Sequence, residues 1–380
     1  MALAGAGSPG GTRWAQPSPV FYVEAVRDFT LAPEIEELQA AAERLARTEL
    51  EPQVRDAEAA GRWPDAVLDV LDGFPLGGLD LPEELGGVEA GVTAKVVALE
   101  TLAHADASGL AGADRPGPTV GAVMACPDRE LAAQVAATGL DRSAQAALTV
   151  VDPEHGAHEL PWGPGLPPLR WIWVSEGDTL RLHEVAGTPV PVQVLAFQAS
   201  APVSIAYADT VMRGTWALGP RTSLDVRSRA RLWGAAVAVG IAQAALEETI
   251  EYATDRIVFG KPVAHHQGNA FDLAAVAAGV HGARLVVRDA AAAYDRNEPD
   301  AGFWATQAWL EAMDAAFTAT NTGIQLLGGH GFIADHLAEK RFREARMLAL
   351  SVGGRDCAEA DVATFVLEIE DPLTAGRELS

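Results

Sequence analysis

Arg256-Ile-Val-Phe-Gly-Lys-Pro-Val-Ala-His-His-Gln267 separates two long helical stretches, and the patterns on either side of it decide the fold. Upstream, Leu232 to Leu246 is apolar on nearly every side, as in a helix enclosed by neighbours or by a subunit interface. Downstream, Leu273, Val276, Val280, Ala283, Val287, Ala290 and Tyr294 recur at spacings of three and four and form one helical stripe. Leu310, Met313, Phe317, Thr320, Ile324 and Leu327 form a second. Long helices from Arg221 onward predict a C-terminal four-helix bundle.

Ahead of the bundle the period changes to two. Leu180 and Leu182 alternate with polar residues, as do Val190, Val192 and Val194, then Val203, Ile205 and Tyr207. Trp171 and Trp173 alternate within Arg170-Trp-Ile-Trp-Val174, and Pro-rich breaks such as Pro161 to Pro168 separate the runs. A small antiparallel sheet or barrel follows. Earlier still the pattern is helical: Ile35, Leu38, Ala42 and Leu45 share a face, Pro64 suits a helix start, and 77–87 is a turn-rich loop. The expected fold is α+β and mostly α. A flexible tail at 1–18 precedes an N-terminal helical domain at 19–142. A small β-barrel or sheet domain at 143–218, the bundle at 219–366 and a tail at 367–380 complete it.

The 380 residues include 52 acidic and 28 basic side chains, a formal charge of −24. Such a surface repels phosphate backbones and anionic lipid, which excludes nucleic-acid and membrane partners. The longer apolar stretches break before the roughly 20 residues that span a bilayer. Met1 to Ser18 is rich in Gly, Ala and Pro without a basic n-region, which predicts a tail rather than a signal peptide and a cytoplasmic protein. Cys126 and Cys357 offer no disulfide framework or thiolate metal site. The nine histidines never fall in an HxxxH or HExxH pattern, and His265 and His266 are neighbours that point apart, so no metal is expected.

Several motifs follow one another in the last third. Gln243-Ala-Ala-Leu246 leads through Tyr252-Ala253 into the quoted stretch, then Gln325-Leu-Leu-Gly-Gly-His-Gly-Phe332 and Glu339-Lys-Arg-Phe-Arg-Glu-Ala-Arg346. Arg256 suits a forked pairing with phosphate, Gln267 and Gln325 suit a sugar, adenine or phosphate oxygen, and Gly328-Gly329 admits a bulky anion to the backbone. In this order and spacing the motifs resemble the C-terminal domain of acyl-CoA dehydrogenases, over Arg229 to Gly353. Leu79-Asp-Leu-Pro-Glu-Glu-Leu-Gly-Gly87 resembles a loop of that family, whereas the β-region resembles it weakly. The resemblance implies that Arg256, Phe259 and Gln267 contact the ADP half of FAD across a dimer interface, that Gln325, Gly328 and Gly329 complete that cross-subunit surface, and that Arg231 lies near the acyl-CoA site. It implies an FAD-dependent oxidoreductase acting on the CH–CH groups of acyl-CoA thioesters, in a homo- or hetero-oligomer.

The sequence also departs from that pattern. The family's proton-abstracting Glu matches Val352, the Thr after it matches Gly354, and the alternative base position matches Ala230. A valine supplies none of the roughly 10²–10⁴ in rate that a general base contributes, so no catalytic residue is assigned. Asp356 and Glu359 follow, with Cβ positions expected to point elsewhere. In the family a Thr-Glu-Pro-Gly-like turn and a Trp-Ile-Thr-like strand hold the flavin ring. Leu148-Thr-Val-Val-Asp-Pro153 matches the first in part, and Trp171-Ile-Trp173 reads as a later barrel strand after a deletion. The expectation is a dehydrogenase-like subunit with impaired or partner-dependent catalysis, its FAD shared across an interface or lost. The alternatives are a flavin-free binding or interaction protein, a dehydrogenase with a relocated base, and a flavin-dependent monooxygenase on the same scaffold.

Overall fold

The computed structural model of the chain describes residues 29–141, 143–151, 159–164 and 168–367. The expected tail at 1–18 and all but the first residue of that at 367–380 lie outside these residues. Seven helices come first: α1 (Pro33–Leu45), α2 (Val54–Ala60), α3 (Asp65–Leu71), α4 (Val92–Ala105), α5 (Ala107–Ala113), α6 (Val120–Ala125) and α7 (Arg129–Leu140). Local chemistry sets several of their starts. Pro33 opens α1 with Glu34 and Glu36 in its first turn, and Pro64 sits at the N-cap of α3. The Asp106 and Asp128 carboxylates accept from the Gly109 and Leu131 amides, capping α5 and α7. Helix α4 is buried on almost all sides, and each charge it takes inside is paired. Lys95 donates to Asp114 at 2.7 Å, and Glu100 accepts from Arg284 and Arg288.

Seven strands follow: β1 (Gln145–Val151), β2 (Glu159–Pro164), β3 (Leu169–Glu176), β4 (Thr179–Val185), β5 (Val190–Pro191), β6 (Pro202–Ala206) and β7 (Thr210–Ala217). They form a four-stranded sheet in the order β1-β3-β4-β7 and a three-stranded sheet in the order β2-β6-β5. The expected antiparallel arrangement is corrected in one place: β1 and β3 are parallel, because the chain between them leaves to place β2 in the other sheet. The stretch 161–164 is likewise strand rather than a break. It lies on a sheet edge, where proline's missing N–H leaves no ladder bond unmade. The Val190 alternation stops after two residues at Pro191. Trp171 and Trp173 lie two apart on one face of β3, both fully buried against α6 and α7. The Trp171 indole donates to Thr138 Oγ1 at 2.9 Å, which ties the sheet to α7.

The chain ends in α8 (Pro220–Asp255), the short hairpin β8 (Ile257–Val258) and β9 (Lys261–Pro262), then α9 (Gln267–Asp295), α10 (Ala301–Leu327), α11 (Ala338–Leu348) and α12 (Gly354–Leu367). The whole α9 stripe is buried as its spacing requires. Helix α10 departs from its expected stripe. Phe317 is 40% exposed with the Arg346 guanidinium stacked on its ring, while Ala305, Ala308, Ala312, Ala316 and Ala319 face the core. Small side chains let α10 lie close against α8, and that contact outweighs the larger residues' claim to the interior. The reading that no stretch is long and apolar enough to span a bilayer is also corrected. Helix α9 has 29 residues and a mean hydropathy of 1.4 over its most apolar window. Its inward stripe packs in the bundle, and Phe271, Asp272 and His281 lie outside it.

Candidate functional site

A cavity of about 1580 Å³ opens where α8 begins. Its walls are residues 146–150 of β1, the first turns of α8, the turn from α9 into α10, the loop after α11, and one face of α12. That loop is backbone-strained. Val352, Gly353 and Gly354 take φ of 52°, 83° and 70°, and a β-branched residue in the left-handed region is a genuine outlier. The tight seat of Gly353 keeps it there: a Cβ at that position would stand 3.0 Å from Cys357 Sγ and 3.1 Å from Val150 Cγ1. The loop therefore rests directly on β1 and α12.

Val352 lines the cavity. Ala230, the alternative base position, is fully buried inside α8 and stays out of the wall. Several carboxylates in the wall are already engaged. Asp361 accepts from Arg227 at 2.7 Å and from Arg231 at 2.6 Å. Burial pushes its carboxyl up, but the Arg227 hydrogen bonds and the Arg231 charge outweigh that and hold it below the usual range. Asp114 is held by Lys95 and by the Trp233 indole at 2.7 Å, and Asp225 pairs with Arg229 at 3.3 Å. Asp356, expected to point away, does line the cavity from the exposed first turn of α12, whereas Glu359 turns outward onto Arg355 at 2.6 Å. Cys357 faces the cavity with Arg231 Nη2 3.3 Å from its sulfur, and burial keeps the thiol raised despite that charge.

Arg231 is fully buried beneath the wall, with Asp361, Cys357 and Thr306 as partners, while Arg227 and Arg229 line the cavity in its place. Neither Arg227 nor Asp361 stood out in the sequence. Their pairing spans 134 residues, and no local pattern signals such a contact.

The other residues singled out in the sequence gather at the opposite end of the bundle. Arg256 caps α8, Phe259 tips the hairpin, Gln267 opens α9, and Gln325, Gly328 and Gly329 close α10. The Tyr252 hydroxyl lies 3.1 Å from His330 Nδ1 and ties the last turn of α8 to the turn that follows α10. Phe259 is 95% exposed at φ 51°, and Phe332 is 74% exposed. Among the described residues none pairs with the side chains of Arg256, Gln267 or Gln325. At 1.5 Å per residue, Arg256 stands about 40 Å along α8 from Arg229 in the cavity wall.

The FAD implied by the sequence resemblance would therefore meet two different surfaces. The bundle end fits the dinucleotide half: a cation, two amides and two glycines with open space where a Cβ would stand, all on the surface. The ring half is not matched. Trp171 and Trp173 are sealed in the core behind β3, residues 152–153 of the partly matching turn lie outside the described residues, and Gly353 fills the space against Val150.

The chain matches "Acyl-CoA dehydrogenase, C-terminal domain" over residues 224–367 and "Acyl-CoA dehydrogenase, N-terminal domain" over residues 32–117. A curated relative from Mycobacterium leprae, "Probable acyl-CoA dehydrogenase fadE25", is 29% identical over 86% of this chain and 93% of its own length. Another, "3-sulfinopropanoyl-CoA desulfinase" of Paraburkholderia xenovorans, is 27% identical over 89% of this chain and 97% of its own. Butyryl-CoA dehydrogenase from Megasphaera elsdenii has the same fold, with a TM-score of 0.79, 19% identity, and 90% of this chain and 100% of that one covered.

Proposed function

The chain belongs to the acyl-CoA dehydrogenase family, and from that premise we propose that it is a subunit of a flavin-dependent acyl-CoA dehydrogenase assembly without a competent proton-abstracting site of its own. Its cavity binds a CoA thioester. The end of its bundle completes the dinucleotide site of a partner subunit.

The separation of the two surfaces carries this reading. A dinucleotide-facing cluster about 40 Å from the chain's own cavity serves another subunit, since a helix is too rigid to bring the two together. The exposed Phe259 and Phe332 beside it are the kind of large apolar side chains that an interface covers. In the cavity, hydrocarbon at Val352 supplies no base, Ala230 stays out of the wall, and Asp361 is committed to two arginines. FAD, when bound in such an assembly, supplies the hydride acceptor. This chain's residues hold its adenine and diphosphate side.

Purification of the chain with the products of neighbouring genes tests the reading. A mixed oligomer with fewer than one flavin per chain is expected. A homo-oligomer of this chain alone that oxidises an acyl-CoA refutes it. The same vacant base positions favour a second reading. One relative is by name a desulfinase of a CoA thioester, and there the bond broken is C–S rather than C–H. Sulfite release from 3-sulfinopropanoyl-CoA by the chain alone decides for it.

A further inference from the structure

At the turn between α5 and α6 the cavity wall carries a guanidinium that neither proton abstraction nor the bundle end uses. Arg115 is 8% exposed and lines the cavity, whose apolar lining includes Pro118, Phe197, Trp233, Met347 and Leu348. Its Nη2 pairs with Asp72, at the end of α3, at 2.5 Å. Its Nε is buried and has no hydrogen-bond partner among the described residues. A guanidinium offers five donors in a fixed fork, and buried donors are almost always matched by acceptors.

The adjoining Asp114 does not supply that acceptor. Its Oδ1 takes Lys95 and the Gly117 amide, and its Oδ2 takes the Trp233 indole at 2.7 Å. Asp72 already balances one charge, but a single cation can serve two carboxylates here: Lys340 does so with Asp106 and Glu344. The guanidinium is 8% exposed, and burial lowers the local dielectric and strengthens whatever hydrogen bond is made.

We propose that Arg115 is a specificity-determining residue of the cavity, and that the acyl group it selects carries a carboxylate at the end remote from the thioester. The proposal rests on the reading that this cavity takes a CoA thioester. Asp72 holds one edge of the guanidinium in place. The remaining donors meet the incoming carboxylate, while Trp233, Phe197 and Met347 cover the methylenes between.

Equilibrium binding to the full chain, followed by calorimetry, tests this with succinyl- and glutaryl-CoA against butyryl- and pentanoyl-CoA. The diacid esters should bind about ten- to hundred-fold more tightly than the neutral esters of equal length, the range for hydrogen bonds to a charged group. Arg115→Gln should weaken only the diacid esters, and Asp72→Asn, which frees the guanidinium of its competitor, should widen the preference. Equal affinities in the wild-type chain, or an Arg115→Gln effect equal for both classes, overturn the proposal. The wild-type comparison needs no variant to fold. Failure of all four esters to bind instead removes the parent reading that the cavity holds a thioester, and this proposal falls with it.

Discussion

Val352→Glu should place a carboxylate in the cavity at the position that matches the family's proton-abstracting Glu. Val352 sits at φ 52° in a loop pinned against Val150 and Cys357, so the backbone already holds the position in the left-handed region. A glutamate has no branch at Cβ and tolerates that conformation better than valine, so the variant should fold at least as well. Met347 and Leu348 line the same cavity, and apolar surroundings favour the neutral carboxyl and move its pKa up toward working pH. A general base contributes roughly 10²–10⁴ in rate, equivalent to about 3–5 kcal/mol of barrier. The assay is exchange of the thioester α-proton in deuterated water, followed by NMR with butyryl-CoA. It reads proton abstraction directly and needs no flavin. The wild-type chain should exchange no faster than buffer, and Val352→Glu should exceed it by two orders of magnitude or more. Rapid exchange by the wild-type chain would mean that another group, with Asp356 first in line, already acts as the base. A variant that binds the thioester yet exchanges no faster would show that residue 352 does not face the reacting carbon.

Other perturbations test the remaining parts. Asp361→Asn leaves the fully buried Arg231 without its counterion and should cost about 3–5 kcal/mol in urea unfolding. The folded pKa of Asp361 is depressed, so its contribution is complete above the ordinary carboxylate range and lost as pH falls through the depressed value; the gap between wild type and variant should begin to narrow below about pH 4 and close only below that depressed value. Lys340→Met strands Asp106 and Glu344 in the core and should destabilise by a similar amount, about 3–5 kcal/mol, again read by urea unfolding. Arg256→Ala with Phe259→Ala should abolish partner assembly, seen as loss of the mixed species in size-exclusion chromatography. Thioester affinity should stay within about twofold, because these residues lie about 40 Å from the cavity wall. A parallel loss of thioester binding would place the two surfaces in one site.

Most of the architecture was legible where a periodic pattern met a single neighbour. The α9 stripe reads correctly because one face packs and the other does not, and Trp171 and Trp173 reveal their shared face by alternation. The α10 stripe reads less well. Its large residues at the expected spacing compete with alanines that allow α8 to come close, and only the packed pair of helices decides between them. Strand β2 was hidden because proline reads as a break, and the edge position that tolerates it belongs to the sheet rather than to the segment. The residues of the bundle end could be named because each lies in a short, ordered motif. Asp356 could not be placed, since a change of φ sign over three residues re-aims the helix that carries it.

The sequence by itself determined the family, the succession of helical, β and helical regions, and the hydrocarbon side chains at Val352 and Ala230, because these depend on residue identity and local spacing. The tertiary structure alone decided that Arg231 is locked beneath the cavity by Asp361, that Arg115 lines the cavity while paired with Asp72, and that Arg256 stands at the far end of α8 from the cavity. Charge pairing and burial depend on distance in space. Contacts that join residues more than a hundred positions apart leave no periodicity for a sequence to show.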